Sequence, residues 1–147
     1  MAAKIEKWRD QISLDYPPLD DEHKAFLEVI NKAVKDYYHR NLDNMPALFD
    51  ACYDYVRNHF SHEEDVMERI NCPDIMAHIQ AHQQFIKNIS EFRQAYEAAE
   101  TRGKKLDLAQ EVVGFLSVWF IGHLLSRDKL IKPYLVRLRN LPPRMDY

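Results

Sequence analysis

Glycine is nearly absent, with three residues in 147. Tight turns between many short strands draw on glycine, so a strand-rich architecture is disfavoured at the outset and helices become the expected class. Cysteine is equally scarce. Cys52 and Cys72 form neither a C-x-x-C motif nor a zinc-type pair, and two thiols do not make a disulfide framework, so both are read as reduced, with Cys52 in the core. Charge of one sign is lacking as well. The 20 basic and 23 acidic residues, net charge -3, are mixed along the chain and leave no basic field for nucleic acid or anionic lipid. The longest apolar run, Val112 to Leu125, falls short of the roughly 18 residues of a bilayer span and is broken by Gly114, Ser117, Gly122 and His123. The N-terminal MAAKIEKWRDQISLDY has no apolar centre of the kind a secretory signal needs. The expectation is a soluble, cytoplasmic protein with no nucleic-acid partner and no membrane insertion, folded as one domain over residues 1–147.

What is present is helical periodicity. Pro17-Pro18, Asn44 and Pro46, Pro73-Asp74, Gly103 and Pro133 punctuate four long segments. The first, from about Asp21 to His39, repeats His23, Phe26, Leu27, Ile30, Val34 and Tyr37 on one face. The second, from about Pro46 to Ile70, turns Leu48, Cys52, Tyr55, Val56, His59, Glu63, Met67 and Ile70 inward. In the third, Ile75, His78, His82, Phe85, Ile89, Phe92 and Tyr96 alternate steps of three and four, which predicts an unbroken helix to about Glu100. The fourth, from about Leu106 to Leu130, faces Val112, Val113, Leu116, Trp119, Phe120 and His123 to the core. Short connections favour antiparallel neighbours, so the predicted fold is all-α, an up-down-up-down four-helix bundle over 20–131 with an N-terminal arm (1–19) and a frayed tail (132–147).

Polar residues interrupt these apolar stripes, where burial without a partner costs several kcal/mol. His23 lies on the first helix, His59 and Glu63 on the second, His78 and His82 on the third, and His123 with Asp128 on the fourth. Residues four apart sit about 40° apart around a helix axis, so His59 with Glu63, and His78 with His82, reach one site. A lone histidine on an apolar face is more often a hydrogen-bonded core residue than a ligand. Seven such residues meeting on four inward faces would need seven separate buried contacts, whereas one metal centre accounts for them all. Asp128 follows His123 by five residues, about 140° around a regular helix, which predicts either a π-bulge or a loosening helix end between them.

His23, then His59-Phe60-x-x-Glu63-Glu64, His78-x-x-x-His82 and Trp119-x-x-x-His123-x-x-x-x-Asp128 together resemble the pattern of the hemerythrin family, in the style of its bacterial single-domain members. The resemblance runs from Trp8 to about Leu130. It implies two iron ions, one held by His78, His82 and His123 and the other by His23 and His59, bridged by Glu63, Asp128 and a solvent-derived oxygen. It implies one open coordination position, on the iron with two histidines, where dioxygen binds end-on. Imidazole and carboxylate also accept zinc, copper or manganese, so the choice of iron comes from the resemblance alone. A dry pocket is required, and Phe26, Ile30, Phe60, Phe85, Leu116 and Trp119 are its candidate wall.

The leading function is that of an oxygen-binding protein, not an enzyme, serving storage, delivery or buffering. The alternatives are an oxygen or redox sensor acting on a protein partner, and a di-iron oxidase or peroxidase. Ferritin-like oxidases use Glu-x-x-His pairs, and none occurs in this chain. A structural zinc site would want a closed set of four ligands, fewer than the seven present. A monomer or weak oligomer is expected. Of the remaining residues, His62 reads as a surface histidine, His39 as a last-turn residue suited to the helix dipole, Asp20 as an N-cap and Glu64 as solvated. Tyr55 reads equally as site lining or plain packing. Tyr16-Pro17-Pro18-Leu19 stands where the family usually has a glycine, and Cys72-Pro73 where an aromatic-proline pair is commoner.

Overall fold

A computed structural model describes residues 6–140, with side chains to 138. Among the described residues there are five α-helices and no strand: α1 (Pro17–Tyr38), α2 (Met45–Tyr55), α3 (Ser61–Arg69), α4 (Ile75–Ala98) and α5 (Arg102–Ser126). A π-helical turn, Val56–Phe60, joins α2 to α3 without a break, so the five helices make four rods. α1 packs on α2 and α5, and α4 packs on α3 and α5, which closes the bundle expected from the sequence.

The ends of these rods depart from expectation in instructive ways. α1 begins at Pro17, not near Asp21, because both prolines occupy its first turn, where their missing amides are no loss. Gly103 lies inside the first turn of α5, and Thr101 caps that helix by accepting from the Lys104 amide at 3.2 Å. With so little glycine, Arg40 and Asn71 take positive φ (53° and 51°) at the ends of α1 and α3. Such left-handed residues let the chain leave a helix and satisfy its last carbonyls, as the Cys72 amide does for Met67 at 2.9 Å.

The main core runs along the bundle through Phe26, Ile30, Phe49, Phe85, Val112 and Phe120. A second, smaller core forms where the arm, the end of α3 and the tail meet, from Leu14, Leu19, Met67, Ile70, Cys72, Ile131 and Leu135. The tail is therefore not frayed through its described part. Lys132–Asn140 is a 3-10 stretch with Leu135 buried, and Arg137 Nη1 donates to the Ile70 carbonyl at 2.7 Å. The expectation for 141–147 lies outside the described residues. Cys52 and Cys72 are both free and buried.

Asp20 is not the N-cap of α1. It sits inside the first turn and reaches back to the arm, where Oδ1 accepts from the Leu14 amide at 2.9 Å and Oδ2 from the Ser13 hydroxyl at 2.8 Å. Asp20→Ala would strand a buried amide, so a loss of about 1–3 kcal/mol in urea unfolding is expected. An unchanged midpoint would show that the arm contributes nothing to the fold.

α5 with the turn after it, Arg102–Leu130, contains an 18-residue window of mean hydropathy 1.5, which by length and composition alone matches a membrane span. The count of uninterrupted apolar residues missed this. The bundle explains the apolarity: 44% of that window is buried, and Val112, Val113, Leu116, Phe120 and Leu124 face the core.

Candidate metal centre

All seven residues singled out from the sequence converge. His23, His59, Glu63, His78, His82, His123 and Asp128 are between 0% and 7% exposed, one or more from each rod. Their donor atoms fall into two groups, within each of which all lie within 4.8 Å of one another. One is Glu63, His78, His82, His123 and Asp128; the other is His23, His59, Glu63 and Asp128. The two carboxylates belong to both.

The oxygen atoms divide the same way. Glu63 Oε2 faces His23 Nε2 (3.2 Å) and His59 Nε2 (3.1 Å), while Oε1 faces His82 Nε2 (3.1 Å) and the Nε2 of His78. Asp128 Oδ2 faces His23 Nε2 (3.0 Å), and Oδ1 faces His78 and His123 Nε2 (3.0 Å each). Each carboxylate thus spans a two-histidine half and a three-histidine half.

Local backbone sets these directions. His59 lies on the π-helical turn, so the widened helix occurs there and not between His123 and Asp128. Between those two the second alternative holds: α5 ends at Ser126, Arg127 is stretched to φ -109° while staying in the helical region, and Asp128 opens a 3-10 turn with its carboxylate against His23, His78 and His123.

Aromatic faces hold three of the imidazoles. Phe60 stacks on His82 (3.7 Å, 4°), Trp119 on His123 (4.4 Å, 11°) and Tyr55 on His59 (4.5 Å, 12°). Tyr55 is itself backed by Phe26 at 3.9 Å, so it both lines the site and packs the core. Burial, together with the nearby charges of Glu63, Asp128 and Glu22, pushes its phenol up.

Two carboxylates beside the site have partners that the sequence does not reveal. Glu64 is not simply solvated, because His82 Nδ1 lies 2.8 Å from its Oε2. Glu22, not singled out at all, lies 2.8 Å from His59 Nδ1 and 2.9 Å from His62 Nδ1. Both follow or precede a site residue by one position, about 100° off the inward face, so only a partner on a neighbouring rod reveals them. His62 is half-exposed, as a surface histidine should be, yet it is tied to Glu22.

Electrostatics show how strongly these groups interact. Burial pushes the imidazoles of His23 and His78 down, but the carboxylates of Asp128 and Glu63 beside them outweigh it and raise both to about 10. Burial pushes the Glu63 carboxyl up, and four histidines more than reverse that, holding it well below the carboxylate range.

Protons alone fit this set poorly. Asp128 Oδ1 and Oδ2 and the Nε2 atoms of His82 and His123 are buried and approach one another, His23, His78 or Glu63 at 3.0–3.1 Å, yet none of these approaches has the angles of a hydrogen bond. Filling every such gap with a proton would place up to five imidazolium charges against two carboxylates in a region closed to water. Cations between the nitrogen and oxygen atoms would satisfy all of them, and imidazole with carboxylate is a donor set that divalent transition metals accept.

Comparison with known proteins agrees. The family profile described as Hemerythrin HHE cation binding domain matches residues 15–135. A bacteriohemerythrin of Stenotrophomonas maltophilia is 27% identical over 122 residues, covering 83% of this chain and 76% of its own. A bacteriohemerythrin of Clostridium acetobutylicum is 27% identical over 126 residues, 83% of this chain and 95% of its own. A myohemerythrin of Theromyzon tessulatum is 23% identical over 125 residues, 83% of this chain and 87% of its own. A helical bundle, two donor groups sharing a pair of carboxylates, and a profile spanning most of the sequence lead to one conclusion: the chain belongs to the hemerythrin family.

Proposed function

We propose that this chain binds dioxygen reversibly at a di-iron centre and serves oxygen storage, delivery or buffering. His78, His82 and His123 would hold one ion and His23 and His59 the other, with Glu63 and Asp128 placed to be shared between them, as a solvent oxygen would be. The observation that carries this reading is the unequal division of five imidazoles across two shared carboxylates. With equal shares from the bridges, the two-histidine half is one donor short of the other, and that shortfall is the place for a diatomic ligand. When bound, the iron pair supplies the two electrons that dioxygen takes up and returns.

The chain's own part is to hold and to exclude. Phe26, Tyr55 and Phe120 pack around the two-histidine half, with His23 edge-on to Phe120 at 6.3 Å, and keep bulk water from it. Membership of the family with proteins named bacteriohemerythrin and myohemerythrin supports oxygen binding at a di-iron centre. A sensing role finds its support in Leu130 and Val136, which expose apolar side chains at and beyond the end of the bundle.

Metal analysis with absorption spectra taken anaerobically and then in air tests the proposal. Two irons per chain and a colour change that reverses on deoxygenation are expected. Irreversible bleaching with hydrogen peroxide released into solution would replace binding with oxidase chemistry.

A further inference from the structure

We infer that Glu22 and Glu64 are positioning residues for the metal centre, one for each half: Glu22 fixes the imidazole of His59 in the two-histidine half, and Glu64 that of His82 in the three-histidine half. This rests on the proposed reading of the centre as a metal site.

A carboxylate can only accept, so its 2.8 Å approach to Nδ1 puts the proton there and leaves the Nε2 lone pair facing Glu63 and the centre. Stacking by Tyr55 and Phe60 sets the plane of each ring but not its flip, since a half-turn within that plane exchanges nitrogen for carbon at the same contact distance. Only a polar partner distinguishes the two flips. The negative charge also makes the distal nitrogen a stronger donor to a cation.

The pattern is selective. Nδ1 of His23 and Nδ1 of His78 are buried without a hydrogen-bond partner among the described residues, so a carboxylate backs His59 but not His23 in one half, and His82 but not His78 in the other. Glu22 is further restrained by His62, whose Nδ1 lies 2.9 Å and 3.0 Å from its two oxygens. His59 and His62 together hold the Glu22 carboxyl below its usual range, against the upward push of partial burial. Both carboxylates are about one-third exposed (34% and 32%), so replacing them disturbs the core little.

The test is anaerobic loading with iron-57(II), followed by a chelator challenge, with iron counted per chain and Mössbauer spectra recorded on what remains. Wild type, Glu22→Ala, Glu64→Ala and the two Gln variants are compared, with far-UV circular dichroism on each metal-free chain. Loss of such an outer partner typically weakens metal binding about 10–100-fold. Glu22→Ala is expected to lose one iron at least about tenfold faster than wild type, and Glu64→Ala the other, so that the irons remaining in the two variants differ in their Mössbauer parameters. The Gln variants, which keep an acceptor but not its charge, are expected between Ala and wild type, and they decide the matter if an Ala variant does not fold. Wild-type loss rates in all four variants overturn the inference, as does loss of the same iron in both Ala variants. Failure of the wild type to take up iron at all removes the proposed function, and this inference with it.

Discussion

His78→Ala is expected to abolish stable loading of two irons per chain, while His62→Ala keeps both. His78 is fully buried and the only histidine whose Nε2 contacts the three-histidine-side oxygens of both Glu63 and Asp128. On the proposed assignment its removal takes a donor directly from the centre, so the loss should exceed the roughly 10–100-fold that follows from removing an outer partner. His62 differs in kind: half-exposed, with its Nδ1 on Glu22, it takes no part in either donor group. Iron counted after desalting checks both variants. Equal losses would show that the ligands have been chosen wrongly.

The second large effect is an opposite response to pH of the metal-free and metal-loaded chains. In the metal-free fold His23 and His78 titrate at about 10, against 6.5 for a free imidazole, because Asp128 and Glu63 hold their protons in spite of burial. A raised folded-state value means stability fully present below pH 6.5 and lost as pH rises towards 10. Glu63 and Asp128 are depressed, so their contribution is present above their ordinary values of 4.5 and 3.8 and is lost at lower pH. Metal-free stability should therefore peak between about pH 4.5 and 6.5 and decline on the alkaline side.

Loading replaces the protons on Nε2 with metal and releases them. The loaded fold then has nothing to lose between pH 6.5 and 10, but below 6.5 the unfolded chain gains protons that the loaded fold cannot accept. The rise in Tm on loading should grow with pH across that window. At free metal a thousand times Kd the stabilisation is about 4 kcal/mol. Calorimetry of both forms from pH 5 to 9 provides the check, and parallel slopes would mean that the metal does not occupy those nitrogens.

How much of this was legible beforehand differs from residue to residue. The four rods and six of the seven inward polar residues, all but Asp128, follow from one-dimensional periodicity, because a helix converts spacing directly into a shared face. The His123–Asp128 spacing even predicted a local break, which the end of α5 at Ser126 supplies. The π-helical turn at His59 left no such mark, since the apolar stripe from Leu48 to Ile70 keeps its steps of three and four through it. The packed tail was misjudged because Leu135 and Ile131 acquire burial only from Leu14, Leu19 and Met67, residues far away in the chain.

By itself, then, the sequence determined helices, their inward faces and the kinds of donor they carry, all properties of a residue and its near neighbours. The tertiary structure alone decided which oxygen faces which imidazole, and that Glu22 and Glu64 reach across to His59 and His82. Those facts depend on how separate rods are set against one another, and a contact between rods is fixed by packing in three dimensions, not by any interval along the chain.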